Sequence, residues 1–308
     1  MSEFDFSAKE WAKNYFLRLE KVIKNLESSP LVDKIIFTQY KGLSDSEIDA
    51  VEADIALELS EEGDVSFKFT EYIREFYKIS NGLNIIWHSN IISSEIEVKT
   101  ITNASVDQFI AADYDFDGFE GNLCLLPLSH ILSPYKVNVM GDLDYTGYAE
   151  DLKENNGGML VFLDYYNTYY DTCMVLSEEN SNPYLAFGED HSAAYTDKVH
   201  CDFVTYLEHQ LYTLFAVEAK SCGLTLPTSD RTYAMRDMLA EIKEPSATQY
   251  EAYVNFLNAD PLALETVLKY HYEDDELGYI DIEKIKSKSA EEQKIIEGFI
   301  GIEIDELE

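Results

Sequence analysis

Asp113, Asp115 and Asp117 stand at alternating positions and are followed by Gly118, the plainest chemical pattern in the chain. Oxygen ligands at every second position, with glycine at the sixth, are what the first half of a calcium-binding loop offers a hard cation. Position twelve, where such a loop supplies a bidentate carboxylate, is Cys124, and Leu123 to Leu128 read as a strand, not an exiting helix. The three aspartates are a weak candidate for metal, and an exposed acidic loop is the better account of them. No metal and no cofactor is expected. The histidines, His88, His130, His191, His200, His209 and His271, include no pair at the spacing of a helical zinc motif, and Glu189-Asp190-His191 reads as a turn. Nucleophilic catalysis would want a Gly-x-Ser-x-Gly elbow, and phosphate chemistry a Walker or Gly-x-Gly-x-x-Gly loop; none occurs. A carboxylate pair for glycoside hydrolysis is not specific evidence in a chain with 59 acidic residues. The expectation is a protein without catalytic activity.

Recognition chemistry is better represented. Tyr165, Tyr166, Tyr169 and Tyr170 lie between Asp164 and Asp171 at an apparent hairpin tip, with Glu178 and Glu179 shortly beyond. Tyrosine buries a large area with few rotors and keeps a polar tip, so these four are candidate partner-binding anchors, and Asp164, Asp171, Glu178 and Glu179 candidate steering charges. The same tyrosines could instead line a sheet as cross-strand pairs.

The charge balance selects the partner class. Fifty-nine acidic residues against 23 basic ones give a formal net charge of −36. Such a field repels phosphate, so nucleic acid is not an expected partner, whereas a basic protein would be drawn in. No segment has the unbroken apolar run of a membrane span. The opening residues, MSEFDFSAKEW, carry neither a basic start nor an apolar signal core, and a cytoplasmic location is expected. Cys124, Cys173, Cys201 and Cys222 are widely scattered, as suits reduced thiols.

Several elements must position these residues. Trp11, Tyr15, Leu19, Val22, Ile23 and Leu26 fall on one face of a first helix, which should pack onto the rest. The segment LVDKIIFTQY is short and apolar enough for a strand or a second short helix. Ser44 and Glu47 have the spacing of a capping box; Ile48, Val51, Ile55 and Leu59 then form an apolar face, with Asp45, Asp49 and Glu52 opposite. Tyr72, Ile73, Phe76, Tyr77 and Ile79 form a second stripe, and Asn81 or Gly82 could end that helix in a left-handed conformation. Between Leu83 and Phe187 the pattern becomes short β-prone runs: LNIIWH, EIEVKTI, LCLLPL, YKVNVM, GMLVFLDYY, TCMVLS and YLAFG. A helix is expected from about Asp197 to Ser221, a linker at Gly223 to Asp230, and helices beyond it. Among these, Ser246 with Gln249 and Asp260-Pro261 mark starts, and a last helix covers about Ser289 to Phe299. The fold class is α+β, an antiparallel or mixed sheet flanked by N-terminal helices, with a helical C-terminal extension. The expected division is residues 1–40 as lead-in, 41–222 as the main domain and 223–308 as the acidic extension.

The run Leu43, Ser44, Glu47, Ile48, then Asn81, Gly82 and Leu83 to Trp87 resembles the SMI1/KNR4 family, the SUKH superfamily. GGMLVFLDYY, DTCMVLS, PYLAFGED and VHCDFVTYLEHQLY resemble its later strands and closing helix, so the likeness spans roughly residues 40 to 215. This resemblance implies an immunity protein that binds and neutralises a cognate polymorphic toxin, a basic and often nuclease domain. As the alternative, it implies an intracellular scaffold or regulator of the fungal type.

Overall fold

A computed structural model describes residues 7–59, 66–89, 121–131, 159–165, 170–177, 183, 185–189, 202–216, 260–272 and 282–300. Helix α1 (Ala8–Ser28) begins at a reciprocal cap: the Ser7 hydroxyl accepts from the Glu10 N–H while Glu10 reaches back to Ser7. Its face of Trp11, Tyr15, Leu19, Val22, Ile23 and Leu26 is buried, as the periodicity requires. The ambiguous segment resolves as strand β1 (Val32–Lys41), in keeping with its β-branched and aromatic content.

Helix α2 (Asp45–Leu59) opens on the expected capping box, with the Ser44 N–H donating to Glu47 Oε2 at 2.7 Å. Helix α3 (Glu71–Ile79) is capped by Thr70, whose hydroxyl accepts from the Ile73 N–H. Its end corrects the sequence reading. Ser80, not a left-handed residue, is the C-cap, and strand β2 (Ser80–Ser89) starts there at once. Gly82 does have positive φ, +101°, but it sits within β2, where a Cβ would lie 2.6 Å from the Leu125 carbonyl oxygen. The glycine is needed for a close strand crossing rather than for stopping a helix. Asn81 is also used differently: its side-chain oxygen accepts from the Leu128 N–H at 2.8 Å and so caps a 3-10 turn, Leu128–His130.

Strands β3 (Gly121–Leu125), β4 (Met159–Tyr165), β5 (Tyr170–Leu176) and β6 (Leu185–Glu189) complete a sheet ordered β1 to β6, each strand antiparallel to the next. The expected strands at EIEVKTI and YKVNVM lie outside the described residues, as do Asp113, Asp115 and Asp117, the Gly223 to Asp230 linker, and the Ser246–Gln249 cap. Helix α4 (Phe203–Tyr212) follows the Asp202 N-cap. It ends well before the expected Ser221, because Leu214 and Phe215 turn left-handed (φ 55° and 63°) and Ala216 bridges back to Gly121. The Trp87 indole N–H clamps this turn by donating to the Leu214 carbonyl at 2.7 Å.

Helices α5 (Leu264–Tyr272), α6 (Ile282–Lys286) and α7 (Ala290–Ile300) follow. Helix α5 starts three residues after Pro261, and the Ala263 carbonyl accepts its first bonds, so Asp260-Pro261 is a lead-in and not the cap. Ser289 with Glu292 forms a capping box for α7. Val267, Leu268, Ile285 and Ile296 join the same hydrophobic core as α1, α3, α4 and one face of the sheet. The Leu262 N–H donates to the Tyr212 carbonyl at the end of α4. The 40/41 division cuts through β1, which is paired along its length with β2.

At the centre of the helical layer Phe76 packs against Tyr15, Phe203 and Trp11 with ring centroids 5.8, 5.3 and 6.5 Å away. Each such pair adds about 0.5–1.5 kcal/mol beyond its area burial. Among the described residues no helix is long and apolar enough to cross a membrane.

Candidate functional site

Of the aromatic and acidic residues singled out from sequence, strands β4 and β5 carry Asp164, Tyr165, Tyr170 and Asp171. A bulge between Phe162 and Asp164 shifts its register, after which Asp164 pairs with Thr172 and Tyr165 with Asp171. Tyr165, Tyr170 and Asp171 are thereby placed at the hairpin end of the two strands. Tyr166, Tyr169, Glu178 and Glu179 lie outside the described residues.

Asp164 does not belong with the steering charges. It is 0% exposed, and a buried carboxylate casts little field on an approaching partner. Its Oδ1 accepts from the Cys124 N–H at 2.7 Å and its Oδ2 from the Tyr206 hydroxyl at 2.6 Å. The cause is the narrow seam between β3 and β4, whose register is the single pair Leu125 and Asp164. Where the ladder runs out, a side-chain oxygen takes the place of a strand carbonyl and satisfies a buried N–H. Tyr206 ties the arrangement to α4.

A second buried carboxylate lies on α4, two residues after Tyr206. Glu208, 2% exposed, accepts from the Trp11 indole N–H at 2.9 Å and from Arg18 Nη2 on α1. Burial pushes Glu208 up from the ordinary carboxylate value, against the lowering effect of Arg18 and Trp11. Tyr15 is pushed up as well, chiefly by burial and then by the Glu208 charge; among the described residues its hydroxyl has no hydrogen-bond partner. His209 sits next in the chain and is only partly covered at its surface. The protein around its ring still pushes it down from 6.5 to about 4, so it is neutral at pH 7.

The third cluster joins α2 to α3. Glu52, 1% exposed, accepts from the Phe69 N–H at 2.9 Å, from Lys68 at 2.7 Å and from Arg74 at 2.6 Å. Arg74 also reaches Asp49 and Asp45, and Lys78 bridges Asp45 and Glu75. The sequence reading set Glu52 on the polar face of α2; the structure corrects this. Its position, four residues after Ile48 and three before Ile55, was the signal, because it falls inside the apolar stripe. Glu208 has the same phase, four after Val204 and three before Leu211. Both were legible as buried acids requiring cationic partners.

The opposite face of the sheet carries His88, Asn84, Asn122 and Cys124, all buried. A cysteine, a histidine and an asparagine on neighbouring strands invite comparison with a thiol nucleophile and its base. The register excludes it: Cys124 pairs with Asn84, four residues from His88, a separation on the order of 13 Å along the strand. Cys124 is buried. No group of three His, Cys, Asp or Glu side chains among the described residues has the arrangement of a metal site.

What these networks do chemically is hold elements together, since Asp164, Glu208 and Glu52 each accept from N–H, hydroxyl or cationic groups of other segments. Six basic side chains, Arg18, Lys21, Lys24, Lys68, Arg74 and Lys78, are held in internal ion pairs. Neither a protein-family model, nor a curated protein, nor a solved structure matches this chain.

Proposed function

We propose that this chain is a protein-binding module without catalytic activity, of the SMI1/KNR4 (SUKH) kind, acting in the cytoplasm as an immunity protein that occupies a basic toxin domain. The observation that carries the proposal is the charge of −36, which the pairing of Arg18, Arg74 and Lys68 with buried acids leaves unchanged because each pair cancels one charge of each sign. A field of that sign accelerates encounter with a basic surface. The order of elements supports the family reading: a capped helix pair running into a strand, consecutive antiparallel strands, then a closing helix. The scaffold alternative gains nothing from α5 to α7, because they contribute to the shared core instead of offering a separate module.

The contacts would come from the β4–β5 connection, with Tyr165, Tyr166, Tyr169 and Tyr170 as anchors and Asp171 as a charge, and from Glu178 and Glu179, which follow the other end of β5 in the sequence. The experiment is co-expression with the toxin encoded beside this gene, followed by association kinetics across a salt series. Protection of the cell, with an on-rate that falls as salt rises, is the expected result. The triple change of Asp171, Glu178 and Glu179 to Lys should slow association and flatten the salt dependence. An unchanged on-rate removes the hairpin from the interface, and absence of both protection and binding sinks the immunity reading. Recovery of several housekeeping proteins and no toxin in a pull-down would favour the scaffold.

A further inference from the structure

Two leucines stand open to water on helices of opposite charge. Leu17 on α1 and Leu57 on α2 are each 66% exposed, ahead of every other large apolar side chain among the described residues. Around Leu17 the charges are positive. Lys13 and Lys21 lie one turn to either side of it, Lys9 and Lys24 extend the exposed face, and Glu20 is already bonded to Lys24 at 2.7 Å. Around Leu57 they are negative: Ala50 and Ala53 share its side of the helix, and Glu47, Asp54 and Glu58 run along the flank, all of them exposed. The contrast extends to the chain as a whole, because residues 1–41 hold seven of the 23 basic residues but only six of the 59 acids. The rest of the molecule carries the net negative charge.

We propose that the Leu17 face of α1 docks on the Leu57 face of α2 in a second copy of this chain. The occupant follows from charge complementarity. An apolar centre flanked by lysines fits an acidic surface that has an apolar centre of its own, and α2 of another copy presents one with its leucine equally exposed. Within one copy both leucines stay open, so neither face is satisfied internally. The small side chains of Ala50 and Ala53 leave room for Leu17 beside Leu57, and docking there brings Lys13 and Lys21 to the acidic flank of α2. The contact joins unlike faces, so two reciprocal contacts close a dimer and single ones extend head to tail.

The charge of −36 opposes self-association at long range. At physiological ionic strength charges separated by more than about 8 Å are largely screened, whereas pairs that meet in the contact are not. The surface lies apart from the β4–β5 connection, and the inference does not rest on the immunity reading.

Sedimentation velocity of the full chain, from low to high micromolar protein at physiological salt, tests the contact. A mass that rises with concentration is the expected result. Lys13→Glu with Lys21→Glu should weaken association at least tenfold, and so should Asp54→Lys with Leu57→Ser. All four sites are exposed, so helix content and melting temperature should stay as in the parent. The decisive arm mixes the two double variants. One keeps a native α2 face and the other a native α1 face, so the two should bind each other more tightly than either binds itself. A chain monomeric at every concentration, an assembly indifferent to either double change, or a mixture no tighter than its components overturns the proposal.

Discussion

The α2–α3 junction and the α1–α4 junction each turn on one buried glutamate, and they solve the same electrostatic problem in opposite ways. Glu52 is met by two cations and a backbone N–H at the rim of the structure, and its main cation is shared with Asp45 and Asp49, which face solvent. Glu208, buried to the same degree, has one cation and one indole N–H, beside the Tyr15 hydroxyl. A buried charge costs several kcal/mol in desolvation, and partners recover that cost only when geometry and number suffice. The first junction has redundancy, with a second cation and two outlying acids; the second has none.

The sharpest way to break the comparison is to delete each acid. Glu208→Ala leaves Arg18 and the Trp11 indole N–H without their acceptor inside the core, and should cost about 3–5 kcal/mol. Glu52→Ala leaves Arg74 with Asp49 and Asp45 and leaves Lys68 already in solvent, so the loss should be smaller, about 2 kcal/mol. Urea denaturation of both variants checks the ranking. Equal losses would mean that the surface acids do not compensate.

Acid sharpens it next. Hydrogen bonds from Lys78 hold Asp45, and hydrogen bonds from Lys68 and Arg74 hold Asp49, below the ordinary value of 3.8. Their contribution is present above that value and is lost as pH falls through the lowered one. Glu208 runs the other way. Its folded value is raised above 4.5, so the native state binds the extra proton first, and stability falls as pH rises through that window. On acidification below the carboxylate range, amide exchange should open α2 and α3 before α1. His209 adds an effect of its own: folded at about 4 and unfolded at 6.5, it makes stability decline as pH falls between those values. His209→Gln should flatten that decline, as read from melting temperature against pH. The smallest expected effect is Ser44→Ala, which removes one half of the α2 cap and should cost about 1 kcal/mol.

Much of the helical layer was legible because local rules carried it. The caps at Ser44 and the stripes of α1 and α3 depend on residues within one or two turns. The strand runs LNIIWH, LCLLPL, GMLVFLDYY, TCMVLS and YLAFG were legible for a similar reason, since β-branched and aromatic composition is local. The end of α4 was not legible. Nothing between Tyr212 and Ser221 breaks a helix by type, and the turn at Leu214 and Phe215 is held by Trp87 and β3, more than ninety residues earlier in the chain. Asp164 was misplaced for the same reason. Beside four tyrosines it reads as a surface charge, and only the narrow β3–β4 seam and the arrival of Tyr206 turn it into an internal acceptor.

By itself the sequence determined the class of the described elements, their order, and a net charge of −36. Tertiary structure alone decided which acids are field and which are framework. The sign of a charge belongs to the residue, but whether water or a buried cation answers it depends on what the fold brings within hydrogen-bond distance.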